Sequence, residues 1–326
     1  MRRHRWLMLL ALLVAALTVA GCGDDDDSSG SGSDSTDTSA QSSSQIQAND
    51  KNASTTITMG SKNFTEQKVL GEIYAQALAA AGYTVKKDLN LGDEKTQEKA
   101  LENGDIDAGP EYTGTALLSL FGVPADKLPR DPAKAYEEAK ADYAKKDLTA
   151  FPRTPFTNSN EVGVTKETAD KLGLKTISDL KGKSQDLTLY GTPECRQRLD
   201  CLLGLEQIYG LKFKKFVPVD PALRHEVLTK GQADVSIVFT TDPQNKRENL
   251  VLLEDDKQMF PPYNVTLVVR NDVVDKAGPD LPKTVEMVNK GLTDEVMQEL
   301  NARVDIDKQE PAAVATQYLK EDGYIQ

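Results

Sequence analysis

The sequence predicts an α/β fold divided into two similarly built lobes. Three observations point there: strand-like and helix-like segments alternate, one supersecondary unit occurs twice, and two apolar, β-branched stretches are placed to cross between the halves. Taken in order, Thr55 to Met59 reads as a strand, Thr65 to Ala81 as a helix, Thr84 to Leu89 as a strand and Glu94 to Glu102 as a helix. The first helix carries a start signal, with Asn63 placed to cap it and Glu66 three residues on, as a capping box requires. The repeat is Leu101-Glu-Asn-Gly104-Asp-Ile-Asp107-Ala108, which reads like Leu228-Thr-Lys-Gly231-Gln-Ala-Asp234-Val235. In the same register Tyr112-Thr113 aligns with Phe239-Thr240, so each copy runs helix, glycine turn, short apolar strand, aromatic-threonine. Asp107 and Asp234 are assigned to structure, because a carboxylate after such a turn usually satisfies nearby backbone N–H groups. Met59-Gly60-Ser61 and Tyr190-Gly191-Thr192 also correspond loosely.

In open α/β sheets a ligand sits beyond the carboxyl ends of the strands. By that rule Lys62, Tyr112, the segment from Glu194 to Arg198 and Phe239 should face one cleft. Glu161 to Thr165 reads as the crossing outward and Val265 to Arg270 as the return, and a chain that crosses twice makes a hinge. Residues 55–160 with 265–326 then form lobe I, and 161–264 form lobe II. The Ala-, Glu- and Lys-rich run from Pro132 to Lys146 reads as an amphipathic helix on the surface.

The beginning of the chain bears on compartment. Arg2, Arg3 and Arg5 precede an apolar run from Trp6 to Ala20 that stops at Gly21-Cys22, the pattern of a secretory leader. The run is shorter than the ~20 residues of a membrane span. Val19-Ala20-Gly21-Cys22 resembles a bacterial lipobox, which implies cleavage after residue 21 and a lipid on Cys22. Residues 22–54 are Ser, Asp, Gly, Thr and Gln with Ile46 as the only large aliphatic side chain, too polar to bury a core. They are read as a disordered tether holding the protein at the outer face of the cytoplasmic membrane.

A formal charge of −12 argues against a nucleic-acid partner and is compatible with a cationic ligand. With Cys22 lipidated, Cys195 and Cys201 remain in one short stretch, and outside the cytoplasm such a pair is expected to form a disulfide. Zinc wants about four ligands, and His225 is the only histidine after the leader, so neither a metal nor a cofactor is expected. The same scarcity leaves no ready nucleophile and base, which speaks against an enzyme on this scaffold.

Four ordered strings carry a family likeness: Gly60-Ser-Lys-Asn-Phe-Thr-Glu-Gln67, Pro110-Glu-Tyr-Thr-Gly-Thr115, Phe239-Thr-Thr-Asp242 and Phe260-Pro-Pro-Tyr263. They resemble the glycine betaine, choline and proline betaine binding proteins of osmoprotectant ABC importers, over a stretch from about Thr55 to the end. The resemblance implies a type II periplasmic-binding-protein fold that closes on a trimethylammonium head in a box of aromatic rings. Tyr112, Phe239 and Tyr263 would supply rings, while Lys62, Thr115 and Arg198 would hold a carboxylate. Arg196 is a near neighbour of Arg198, and the choice between them rests on the family match. It also implies a permease and an ATPase as partners, and a monomer.

Physical chemistry supports each role. A quaternary ammonium has no N–H to donate, so only shape and ring faces can recognise it, at ~0.5–2 kcal/mol per desolvated ring. A carboxylate suits a lysine, a forked arginine and a helix N-terminus. The sequence departs from the family twice. Asn160 stands where many relatives place a further tyrosine, and Phe239 stands where tyrosine is common in the betaine binders. Choline, carnitine, ergothioneine or another betaine therefore stay open as ligands, as do an amino acid or other small zwitterion, and a sensing role.

Overall fold

The computed structural model describes residues 45–326. The expected leader (1–21), the lipidated Cys22 and the first part of the tether lie outside the described residues. Ten strands are present: β1 (Thr56–Gly60), β2 (Thr84–Asp88), β3 (Ala108–Tyr112), β4 (Leu148–Ala150), β5 (Asn160–Thr165), β6 (Thr188–Gly191), β7 (Lys215–Pro218), β8 (Val235–Phe239), β9 (Leu250–Leu253) and β10 (Val265–Arg270). They form two five-stranded sheets with one topology. The first runs β2-β1-β3-β10-β4, and the second runs β7-β6-β8-β5-β9. In each, three strands are parallel and the fourth lies antiparallel to both its neighbours.

The sequence repeat now has a physical content. β3 and β8 are the equivalent central strands, each reached from a left-handed glycine, Gly104 at φ 79° and Gly231 at φ 64°. Each repeated aspartate reaches the neighbouring parallel strand: Asp107 accepts from the N–H of Thr58 at 2.8 Å, and Asp234 accepts from that of Thr188 at 2.7 Å. Each sheet also has its own apolar core. Ile57, Ile73, Leu267 and Leu319 belong to the first, and Val162, Leu189, Val235 and Leu253 to the second. Helix α1 (Thr65–Ala80), with the helices Asp280–Gly291, Asp294–Asp305 and Pro311–Glu321, covers the first sheet.

The chain passes between the sheets at paired segments joined by a bridge between Thr157 and Asn264. The Asn264 side chain ties them further, donating to the carbonyls of Thr154 at 3.1 Å and Phe156 at 2.9 Å. Glu161 to Thr165 and Val265 to Arg270, expected to be the crossings, lie instead in β5 and β10, which begin just past the crossings and belong to one sheet each.

Two further expectations need correction. The tether does not extend to residue 54. Ile46 is buried and its N–H donates to the Tyr324 carbonyl, Asp50–Ser54 forms a 3-10 turn, and the buried Asn52 donates to the Ala81 carbonyl at 2.8 Å. A polar segment needs no core of its own when a finished surface offers partners for its hydrogen-bonding groups. The capping box is also absent. The N-cap of α1 is Phe64, without a side-chain cap, and Glu66 is buried in a different network.

Among the described residues no helix is long and apolar enough to cross a membrane. One strand residue carries a pH signature. Burial, with a smaller contribution from Asp255, pushes the Glu161 carboxyl up to about 7. A carboxyl raised on folding costs nothing below its unfolded value and its full penalty above its folded one. Glu161→Gln is therefore expected to be more stable than the wild type by about 2 kcal/mol at pH 8 and equal to it at pH 4, as read from thermal melts at the two pH values.

Candidate functional site

A cavity of about 70 Å³ lies between the two sheets. One water-sized sphere occupies ~10–15 Å³ on this measure, so the space suits a solute of a few heavy atoms rather than a peptide. Its lining includes Lys62 beyond β1, Tyr112 at the end of β3, Thr192 beyond β6 and Phe239 at the end of β8. These are the carboxyl ends of the parallel strands, where the fold leaves a crevice. Thr115, Asn160, Arg198 and Tyr263 line it as well, so all seven residues singled out in the sequence meet at one place.

Phe64 also lines the cavity, and it was passed over in the sequence. Its ring stacks on Tyr112 at 6.1 Å between centroids and meets Phe239 at 5.6 Å. The available signal was an aromatic residue in the otherwise polar stretch Ser61 to Gln67, just before the helix. Four rings thus line the cavity, although Asn160 contributes none. Asn160 pairs with Phe239 across β5 and β8 and donates to the Asp200 carbonyl at 3.0 Å.

Tyr263 owes its position to a close approach of two loops. A Cβ on Gly114 would fall 2.8 Å from both Pro261 Cγ and the Pro262 oxygen, and 2.9 Å from Tyr263 Cδ1. Only glycine lets the end of β3 approach the Phe260 to Tyr263 segment this closely. The Tyr263 hydroxyl then donates to Asp200 Oδ2 at 2.5 Å.

The cations in the wall are already engaged. Lys62 is buried and paired with the buried Glu111, and its Nζ lies 4.6 Å from the centroid of the Tyr112 ring. Burial pushes the Glu111 carboxyl up, against the pull of Lys62. Arg198 forks onto Asp200 at 2.8 and 2.6 Å, reaches Glu94 at 3.3 Å and donates to Thr115 Oγ1 at 3.4 Å. Burial would raise the Asp200 carboxyl, but Arg198 and the donated Tyr263 hydroxyl hold it below its ordinary value. Arg196, the other arginine of this loop, is exposed and sits over the Phe216 ring at 4.6 Å. Cys195 and Cys201 are joined in a disulfide, closing the short loop that presents Arg198 and Asp200.

A third cation had no signal in the sequence. Arg224 pairs with Asp242, and its guanidinium lies 4.4 Å from the centroid of the Phe239 ring. Behind Tyr112, the buried Glu66 accepts from its hydroxyl at 2.7 Å.

Residues 55–321 match the family described as the substrate binding domain of ABC-type glycine betaine transport system. The glycine-betaine-binding protein of Pseudomonas aeruginosa is 34% identical over 277 residues, covering 82% of this chain and 88% of that one. The carnitine transport binding protein of Listeria monocytogenes is 30% identical over 279 residues, covering 84% and 89%. A crystal structure of a glycine betaine/carnitine/choline ABC transporter is similar with a TM-score of 0.66 at 30% identity, covering 83% of this chain and 100% of that one.

Proposed function

Because the chain belongs to the family of substrate-binding domains of ABC-type glycine betaine transport systems, we propose that its cavity takes the trimethylammonium head of a small betaine or choline-like solute. The observation that carries this reading is the set of four rings, Phe64, Tyr112, Phe239 and Tyr263, around one small cavity. Such a head has no N–H group, so ring faces and shape are what a protein can offer it. The relatives named for glycine betaine and for carnitine support the same class.

The family consists of transport proteins, and as the binding domain of an importer the chain works outside the cytoplasm. Cys22 would carry the lipid that keeps it at the membrane, and a single copy would deliver solute to the permease. Residues 55–160 with 265–326 would move as one lobe and 161–264 as the other, with the crossings at Thr157 and Asn264 as the hinge. Residues 45–54 would travel with the first lobe. Ligand contacts from both lobes favour the closed form, and only by the ligand's difference in affinity between open and closed states.

The acid end of a betaine has fewer open partners than the resemblance implied. Lys62 is balanced by Glu111, and Arg198 by Asp200 and Glu94. A carboxylate would share these cations or turn to neutral groups such as Thr115 and Asn160, which favours solutes whose affinity comes mainly from the cationic head.

Calorimetric titration of residues 45–326 against glycine betaine, proline betaine, choline, carnitine, ergothioneine and free amino acids tests the proposal. The sole tryptophan, Trp6, lies in the leader, so tryptophan fluorescence would not serve. Micromolar binding of at least one quaternary ammonium is expected, weakened about tenfold or more in Tyr112→Ala. Binding of plain amino acids alone, or of nothing in the panel, would remove this reading.

A further inference from the structure

The buried carboxylates around the cavity each have a cation within ion-pair distance, with one exception. Glu111 is paired with Lys62, Glu94 and Asp200 with Arg198, and Asp242 with Arg224. Glu66 is fully buried, yet its hydrogen-bond partners are neutral donors drawn from four parts of the chain. Its Oε1 receives the Tyr112 hydroxyl and Asn158 Nδ2, each at 2.7 Å. Its Oε2 receives the Thr241 hydroxyl at 2.6 Å and Asn301 Nδ2 at 3.0 Å. Among the described residues no cation lies within ion-pair distance of it, although Arg224, paired with Asp242, feels its charge through space.

The donor set favours the ionised state of this group. Amide nitrogens can only donate, and both hydroxyls are free to donate. Four donors on two oxygens match what an ionised carboxylate needs, with both hydroxyls turned to donate. Its place in the first turn of α1 favours the same state, because the positive end of the helix dipole lies there. Burial holds the carboxyl above its ordinary value, and the four donors oppose that rise without cancelling it. Ionised, Glu66 puts a negative charge one side chain behind the cavity wall, where a cation in the cavity would compensate it.

We infer that Glu66 is the counter-charge for the ligand's ammonium, acting through Tyr112 rather than by contact. By donating to Glu66 the Tyr112 hydroxyl gains partial phenolate character and pushes electron density into its ring, so the ring face turned to the cavity becomes more negative. Tyr112 and Asn158 line the cavity while Glu66 does not, so the charge acts at a distance through a low-dielectric wall. Thr241 follows β8 of the second sheet and α1 covers the first, so the same carboxylate ties the two halves behind the rings. This inference rests on the quaternary-ammonium reading and adds to it a specificity determinant that selects charge rather than shape.

The test uses the full chain and two pairs of probes. Glycine betaine and choline are each compared with their tert-butyl analogues, in which carbon replaces nitrogen and the positive charge is gone while the shape stays. The wild type is expected to prefer the nitrogen compound. Glu66→Gln should cut that preference by about tenfold and leave affinity for the carbon compound within about twofold, whereas Glu66→Asp should retain most of the preference. Tyr112→Phe keeps the ring and severs its link to the carboxylate, so it should lose part of the preference, and it serves if Glu66→Gln does not fold. An unchanged preference in Glu66→Gln, or equal losses for nitrogen and carbon compounds in Glu66→Gln and Tyr112→Phe, would assign Glu66 to structure and overturn the inference alone. A wild type that binds no quaternary ammonium would overturn the functional reading, and this inference with it.

Discussion

Arg198→Ala is expected to lower the unfolding temperature by about 10 °C at pH 7 and to leave no measurable solute binding. Among the described residues the guanidinium is the one cation in contact with both Asp200 and Glu94, and the two acids come from different halves of the molecule. Removing one partner of a buried ion pair costs about 3–5 kcal/mol because it strands the other charge. The pH dependence separates this cause from simple loss of packing. In the wild type Asp200 is held below its ordinary value, so its contribution to stability is present above about pH 3.9 and is lost as pH falls through its folded value. In Arg198→Ala burial acts on Asp200 without that cation and raises its folded value above the unfolded one. The deficit should then be largest at pH 7 and shrink as the pH is lowered toward 4. Thermal melts across this range decide the matter, and a deficit that does not change with pH would mean the arginine acts through its volume alone.

Tyr263→Ala should abolish binding and destabilise the chain by about 3–5 kcal/mol, the usual cost of deleting a buried ring. Tyr263→Phe should cost only about 1–2 kcal/mol, since it removes a single hydrogen bond to a charged group, and should keep solute affinity within about threefold. The pair divides the residue into its two physical parts. The ring is a wall of the cavity, while the hydroxyl braces Asp200, which in turn orients Arg198. Calorimetry on both variants reads the binding side and thermal denaturation the other. If the phenylalanine variant binds as poorly as the alanine one, recognition depends on the Asp200 brace and not on the ring face.

Much of the architecture was legible in local pattern. The alternation of strands and helices is written in apolar periodicity, and the repeated turn with its aspartate is short enough to read along the chain. The structure gives each aspartate a strand N–H to hold. The capping box failed for a reason the sequence does not contain. Glu66 has the right spacing for a local role, but Tyr112, Asn158, Thr241 and Asn301, all distant in the chain, converge on it and offer better partners. Ile46 failed in the opposite sense. Alone in a polar stretch it could nucleate nothing, yet it packs into the first sheet's core once that core is formed by the rest of the chain.

The sequence by itself therefore determined the α/β class, the doubled unit, the cysteine pair and the strings that carry five of the seven residues at one cavity, because each of these is short-range or repeated. Only the tertiary structure decided which charges are free to act. Lys62, Arg198 and Arg224 find acids that lie 49, 2 and 18 residues away, and Glu66 finds only neutral donors. Charge pairing follows distance in space and the loss of water around each group, and neither quantity is present in residue order.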